Sequence, residues 1–164
     1  MSLSVLVVDA NVIIDLHIGG LLLETFEMPY HFMTPNVIAE EMHSPKGTAL
    51  IKLGLESVDL PERLVQEVYR LSSTYRKPSP KDIAALVPAH DLGVVFVTGD
   101  RRLAEAAAQE GVDTHGTLWV LDELIRLVII TPEIAADGLD RMLQHGSRFP
   151  EYECRKWLRR WRRK

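Results

Sequence analysis

Three acidic residues stand where predicted strands end or where a predicted helix begins. Asp9 follows the apolar run Val5–Val8, and Asp100 follows a second run, Val94–Val97, with two residues between. Asp82 lies in the first turn of the helix that leads into the second run. Because ligands bind beyond the carboxyl ends of parallel strands, we expect these carboxylates to meet at one site.

A fourth carboxylate comes from the helix predicted after the second strand, which carries the adjacent acids Glu40 and Glu41. At roughly 100° per residue, Glu41 falls between Val37 and Ile38 on the apolar face, and Glu40 lies at the margin of that face. A carboxylate that points inward is costly unless it is paired or binds a metal. The pattern favours Glu41 as the fourth acid, with Glu40 as the alternative.

Each acid also has a purely structural explanation. Asp9 and Asp100 stand at predicted N-cap positions. Asp82 follows Ser79 by three residues, as in a capping box, and a buried Arg would neutralise Glu41. Carboxylates that converge within a few ångströms, however, repel one another and require a cation. An all-oxygen ligand set favours Mg²⁺ or Mn²⁺, ions that activate water and neutralise phosphate charge in phosphodiester hydrolysis.

The elements that must position these acids alternate between strand and helix. The unbroken, β-branched run before Asp9 is typical of a strand buried on both faces. Alternation of this kind predicts an α/β fold, here a three-layer α/β/α sandwich with a mainly parallel central sheet.

Several element boundaries are predicted from proline and cap residues. Thr34-Pro35 offers a Thr at the N-cap and a Pro at the first helical position, so a helix is predicted from there to His43. Pro88 is predicted to kink the helix that starts after Ser79 or to end it early. Residues 112–114 are predicted to form a short strand.

The chain has 164 residues, enough for one domain with a sizeable core. Its single cysteine, Cys154, excludes an intrachain disulfide and a thiolate zinc site. The sequence shows no signal peptide and no apolar run long enough to span a bilayer. These features predict a cytoplasmic protein without stable membrane association.

The charge is distributed unevenly along the chain. Residues 155–164 hold seven Lys/Arg and no acid, so residues 1–154 keep 12 of the 19 basic residues against all 23 acids, a formal charge of −11. Trp157, Leu158 and Trp161 form an apolar stripe within the basic segment. We expect the stripe to pack on the body and the basic side chains to contact a polyanion. An acidic protein partner or a membrane surface is the alternative contact.

The chain resembles PIN-domain proteins in five segments that occur in the family's order: VVDANVIIDL, TPNVIAEEM, SPKDIAAL, VFVTGDRRLAEAA and GVDTHGTLWVLDELI. The resemblance extends to about Leu143. It implies a parallel sheet between helices and a ribonuclease that depends on Mg²⁺ or Mn²⁺. Many such proteins are toxins of toxin–antitoxin pairs, so an RNA substrate, an antitoxin protein and a homodimer are implied as well. Residues 1–148 are then the PIN-like nuclease domain, and 149–164 form a basic C-terminal helix that is packed on the same domain or extends from it.

The resemblance also assigns roles residue by residue. Metal binding and catalysis fall to the four acids, Asp9, Glu41, Asp82 and Asp100. Two polar residues, Asn11 and Thr98, resemble those that support the acids or the scissile phosphate. RNA contacts are predicted for four arginines, Arg101, Arg102, Arg159 and Arg160, although the first two have pairing with nearby acids as an alternative. Pro88 departs from the family pattern, which usually has a small helix former there.

Three other functions stay open at this point. A phosphatase of the haloacid dehalogenase type also places an Asp at a strand end, but it needs a second Asp two residues later, where this chain has Asn11. A PIN-like module that only binds or assembles would have no need of four acids. A PIN nuclease that matures RNA, and is not a toxin, fits the same residues.

Overall fold

The computed structural model describes residues 3–163 and is built around a five-stranded parallel sheet with the order β3-β2-β1-β4-β5. The chain starts in the centre of the sheet, adds strands on one side, and then crosses to the other side. The strands are β1 (Ser4–Val8), β2 (Tyr30–Pro35), β3 (Glu56–Val58), β4 (Val95–Val97) and β5 (Thr114–His115).

Helices cover both faces of this sheet. Side chains of β1 alternate between two cores, because Val7 packs in one and its neighbours Leu6 and Val8 pack in the other. The α/β fold class predicted from the sequence is therefore confirmed. The helices are α1 (Ala10–Ile18), α2 (Leu22–Glu27), α3 (Asn36–Glu41), α4 (Gly47–Leu53), α5 (Glu62–Thr74), α6 (Pro80–Leu92), α7 (Arg101–Gln109), α8 (Thr117–Arg126), α9 (Pro132–Gln144) and α10 (Glu151–Arg162). None of the helices described within residues 3–163 is both long and apolar enough to cross a membrane.

The point where the strand order reverses lies between β1 and β4. These strands pair in register, with Val8 opposite Val97, and the Asp9 N–H donates to the Val97 carbonyl oxygen at 2.9 Å. The chain crosses from β1 and from β4 to strands on opposite sides of the sheet, and this arrangement opens a crevice beyond the carboxyl ends of the two strands. Asp9 is the first residue beyond β1 at this crevice.

The predicted helix start at Thr34-Pro35 is wrong by one residue, because Pro35 and not Thr34 is the N-cap. Strand β2 continues through Pro35, which pairs with Val58 of β3. Thr34 does not cap a helix, because its hydroxyl donates to the Val8 carbonyl oxygen at 3.0 Å. Helix α3 consequently begins at Asn36 and ends at Glu41, and the α4 that follows was not predicted.

Two further boundaries differ from prediction. Pro88 lies inside α6, which continues to Leu92 although a proline removes one backbone hydrogen bond. The seven consecutive buried residues from Ile83 to Ala89 explain this, since packing on both sides offsets the lost bond. The short strand is Thr114–His115 rather than 112–114, because the Val112 N–H bonds back to the Ala107 carbonyl oxygen at 2.8 Å and closes α7.

The junction of α3 and α4 requires a glycine. A Cβ at Gly47 would overlap the backbone carbonyl of Ala39, which no rotamer change can relieve. Gly47→Ala is therefore expected to lower the free energy of unfolding by roughly 1–3 kcal/mol, measured by urea denaturation. Gly99→Ala is the matched control and should leave it unchanged, because a Cβ there meets nothing within 4 Å. Equal stability of the two variants would contradict this packing.

Candidate functional site

Asp9 occupies the centre of the crevice. Its side chain is 4% exposed, and its Oδ2 accepts a hydrogen bond from the Thr98 hydroxyl at 2.9 Å. Asp9 stands at the N-cap position of α1, yet its side chain makes no capping hydrogen bond. Helix capping therefore does not explain why a carboxylate is buried at this position.

The surroundings of Asp9 disfavour its charged form. The pKa of the Asp9 carboxyl is raised from 3.8 to about 6, with burial as the largest cause and the negative charges of Asp82 and Asp100 acting in the same direction. Hydrogen bonds from Thr98 and from the Ala10 N–H oppose this rise without cancelling it. Both Asp82 and Asp100 are thus near enough to Asp9 to repel it electrostatically.

Thr98 connects the ends of β1 and β4. Its hydroxyl donates to Asp9 and accepts from the Asp100 N–H at 3.1 Å, and its own side chain is 4% exposed. A buried hydroxyl that uses donor and acceptor at once has little freedom to rotate. Thr98 therefore fixes the loop that carries Asp100 against Asp9.

Asp82 and Asp100 both cap helices, as their structural explanations predicted. Asp100 Oδ1 accepts from the N–H groups of Arg102 and Leu103 at 2.9 and 3.3 Å. Asp82 Oδ2 accepts from the Ser79 N–H at 3.0 Å, and the Ser79 hydroxyl accepts from the Asp82 N–H at 3.1 Å. Each cap uses one carboxylate oxygen, Oδ1 of Asp100 and Oδ2 of Asp82. Capping orients these two side chains and leaves their second oxygens for another ligand.

Glu41 reaches the same crevice for a reason different from the predicted one. The expected apolar face does not include it, since Val37 is 40% exposed and the Glu41 side chain 58% exposed. Glu41 instead forms an ion pair with Lys81 at the start of α6. Glu41 lines the crevice, whereas Glu40 does not.

These side chains enclose a cleft of about 400 Å³, hereafter the acidic cleft. It brings together Asp9, Glu41 and Asp82 from three different elements, with Asn11 of α1 exposed on its wall. The sequence did not indicate two further lining residues, Lys81 and His43. The residues that line the acidic cleft are Asp9, Ala10, Asn11, Ile14, Ile38, Glu41, Met42, His43, Ser44, Lys81 and Asp82.

The donors of the acidic cleft fit a hard divalent cation. Three of them, Asp9, Glu41 and Asp82, are carboxylates, and Mg²⁺ keeps several waters while binding through one or two carboxylates. Within residues 3–163, no three His, Cys, Asp or Glu side chains already lie close enough together to hold a metal. Glu41 is turned toward Lys81, so full convergence on a cation requires that this exposed ion pair open.

The four predicted arginines lie outside the acidic cleft. Arg101 and Arg102 start α7 and are exposed, and Arg101 pairs with Glu105 one turn later at 3.2 Å. In α10, Arg159 is exposed and Arg160 lies 3.7 Å from a carboxylate oxygen of Asp122. None of these four arginines lines the acidic cleft.

The apolar stripe of α10 packs on the body of the protein. Trp161 is 1% exposed, and its indole N–H donates to Asp122 Oδ1 of α8 at 3.1 Å. Trp157 stays half-buried, with the Arg160 guanidinium 5.2 Å above its ring. The packing expected for the tryptophan stripe is therefore present, and the basic side chains stand outside it.

Asp15 of α1 is half-buried. It accepts hydrogen bonds from Ser147 at 2.7 Å and from Thr117 at 3.3 Å, and burial raises the pKa of its carboxyl. Its partners lie more than 100 residues away along the chain, so no local sequence signal could have identified them.

The chain matches a family model described as PIN domain over residues 5–163. The matched segment includes all ten helices that the structure describes and the whole of the sheet except Ser4. No curated protein matches the chain.

Proposed function

The chain belongs to the PIN-domain family, and from this premise we propose that its acidic cleft is the active site of a metal-dependent ribonuclease. PIN domains are typically nucleases, which agrees with an acidic site at the carboxyl ends of a parallel sheet. The burial of the Asp9 carboxylate is the observation that carries the proposal. Among residues 3–163, no basic side chain forms an ion pair with this carboxylate, and two further carboxylates repel it. A bound cation would remove this electrostatic cost.

The proposed site divides its tasks among few residues. Asp9, with the unused oxygens of Asp82 and Asp100, would hold a Mg²⁺ or Mn²⁺ ion, and Glu41 would join them on leaving Lys81. Such an ion supplies activated water and neutralisation of phosphate charge. Thr98 orients the Asp9 carboxylate through its hydroxyl.

Other side chains of the acidic cleft suit an RNA phosphate. Lys81, once separated from Glu41, is the positive charge on the cleft wall that can pair with a phosphate oxygen. Asn11 is exposed on the same wall and offers an amide N–H donor to a phosphate oxygen. The acidic body, −11 over residues 1–154, otherwise repels RNA. A bound cation and Lys81 should therefore strengthen RNA binding at this cleft.

The biological role that we propose is that of the toxin in a toxin–antitoxin pair, acting as a homodimer and inhibited by an antitoxin protein. Support for this role comes from the sequence motifs around Asp9 and Asp100 alone. A gene for a small antitoxin beside this one would add support, and its absence would favour an RNA-maturation nuclease.

The wild-type protein is expected to cleave RNA in Mn²⁺ or Mg²⁺ and to lose all cleavage in excess EDTA. The physical reason is that the acids alone repel both the phosphate and an attacking hydroxide. A mixed pool of labelled RNAs separated on a denaturing gel gives the measurement, and restoration by added Mn²⁺ controls for irreversible damage. Undiminished cleavage in EDTA would refute the proposed chemistry.

A further inference from the structure

A second cleft of about 500 Å³ lies at the loop that follows β4. It begins at Thr98 and Gly99, directly beside the acidic cleft, and extends between β5, the start of α8 and α10. We call it the aromatic cleft, after the rings that line it. Those rings belong to His115, Trp119, Phe149 and Trp157.

The rings of the aromatic cleft are held in place by contacts within the protein. Trp119 stacks on His115 with the ring centroids 4.1 Å apart and the planes 5° from parallel. Trp157 packs 5.9 Å from Trp161, which is anchored in the core at 1% exposure. Flat surfaces fixed in this way can accept a further planar group without the entropic cost of ordering them first.

Positive charge borders these rings. Arg101 and Arg148 both line the aromatic cleft, and Glu153 is the carboxylate that lines it with them. The Arg101 side chain is 91% exposed and is held only by an ion pair on its own helix, a kind of contact worth little in water. Both guanidinium groups are placed to bind a phosphate on a ligand whose planar part lies among the rings.

We propose that the aromatic cleft binds one unpaired nucleotide of the RNA, next to the phosphate that is cleaved. This inference rests on the proposed ribonuclease function and extends it by assigning a subsite for one base of the substrate. Every nucleobase has a planar face on which aromatic side chains can stack, whichever base it is. A volume of about 500 Å³ is within the usual range for a small-molecule site.

The contact between Thr98 and Asp9 determines where this nucleotide lies relative to the acidic cleft. Thr98 both lines the aromatic cleft and bonds to Asp9, so a base in the aromatic cleft leaves its flanking phosphate near the acids. A base in a duplex is stacked on its neighbours and cannot enter. The geometry therefore predicts cleavage of loops and unpaired segments and little cleavage within perfect duplexes.

The test measures stacking directly and does not depend on cleavage. Single-stranded RNAs carry a fluorescent adenine analogue, quenched when it stacks, at one position each, and bind the wild-type protein in EDTA. Quenching is expected at one position, and affinity should fall roughly fivefold to a hundredfold in Trp157→Ala, the range for loss of one base–aromatic stack. Tyr152→Ala is the matched control, because Tyr152 lies on the same helix, is 73% exposed and does not line the cleft.

Arg148→Gln keeps the test decisive if Trp157→Ala fails to fold, because Arg148 is exposed and its loss should weaken RNA binding and reduce its salt dependence. Quenching and affinity unchanged in these variants would overturn the inference, and would assign the aromatic cleft to another ligand such as a protein segment. Protein that quenches the analogue but cleaves no RNA would refute the ribonuclease and not the stacking site. An enzyme that cleaves RNA but does not quench the analogue would refute the stacking site and not the ribonuclease.

Discussion

Asp9→Asn is expected to stabilise the metal-free protein at neutral pH by up to about 3 kcal/mol, which is what a rise in pKa from 3.8 to about 6 corresponds to. Burial of the charged carboxylate causes this cost, and the neutral amide avoids it while still accepting the Thr98 hydrogen bond. For a chain of this length the gain corresponds to a melting temperature roughly 6–12 °C higher. Thermal denaturation in EDTA measures it.

The stabilisation should depend on pH in a defined direction. Below the unfolded pKa of 3.8 the carboxyl is protonated in both states, and Asp9 costs nothing. Between pH 3.8 and about 6 the Asp9 carboxyl is protonated more fully in the folded than in the unfolded protein. The free energy of unfolding of the wild type therefore falls as pH rises through this window. The difference between variant and wild type should grow across this window and then stay constant. Asp137→Asn, an exposed residue of α9, should show no such difference.

Adding Mn²⁺ should reduce or reverse the difference in stability between Asp9→Asn and the wild type. An ion that binds only the folded wild type adds about 2.7 kcal/mol at a hundredfold excess over its dissociation constant. Asp9→Asn should gain little, because it has lost the central ligand. A variant that is no more stable than wild type in EDTA, and that gains equally from Mn²⁺, would show that Asp9 is not part of a cation site.

Glu41→Gln is expected to lower the rate of RNA cleavage by roughly a hundredfold or more, the scale for losing one electrostatic contributor to a transition state. Glu40→Gln should leave the rate within a factor of about two, since surface substitutions away from a site change little. The two residues are adjacent on α3 and both exposed, which makes them a matched pair. Only Glu41 lines the acidic cleft. Initial rates in saturating Mn²⁺ give the comparison.

The opposite pattern, with Glu40→Gln inactive and Glu41→Gln active, would move the ligand to Glu40 and require α3 to rotate. Melting temperatures of both variants in EDTA control for folding. Because Glu41 forms an exposed ion pair with Lys81, its loss should change stability by less than about 1 kcal/mol. A loss of activity together with normal folding then identifies a role in the reaction.

The sequence identified the part of the site that strand order determines. Two unbroken apolar runs predicted adjacent parallel strands, and the carboxyl ends of these strands bring Asp9 and Asp100 close enough to repel each other, although Asp100 does not line the acidic cleft. The capping signal at Ser79 likewise placed Asp82 correctly at the start of α6. Local patterns succeed at these positions because strand burial and helix capping are decided by neighbours along the chain.

The parts that the sequence missed depend on contacts between distant segments. Glu41 was chosen by helical periodicity, but α3 has only six residues and too few turns to form a clear apolar face. The aromatic cleft joins residues from Thr98 to Trp157, and no spacing of aromatic residues along the chain predicts that association. Tertiary packing of α10 on α8 and α9 decides it.

Titration calorimetry of Mn²⁺ into metal-free protein at neutral pH tests the central claim most directly, with wild type, Asp9→Asn and Asp137→Asn compared. Wild type and Asp137→Asn should bind Mn²⁺ with the same affinity, and Asp9→Asn should bind at least about tenfold more weakly. Below about pH 6, where Asp9 holds a proton, binding to wild type should weaken and release that proton. Equal affinity in all three proteins, or no binding to wild type, would contradict a divalent metal site at Asp9.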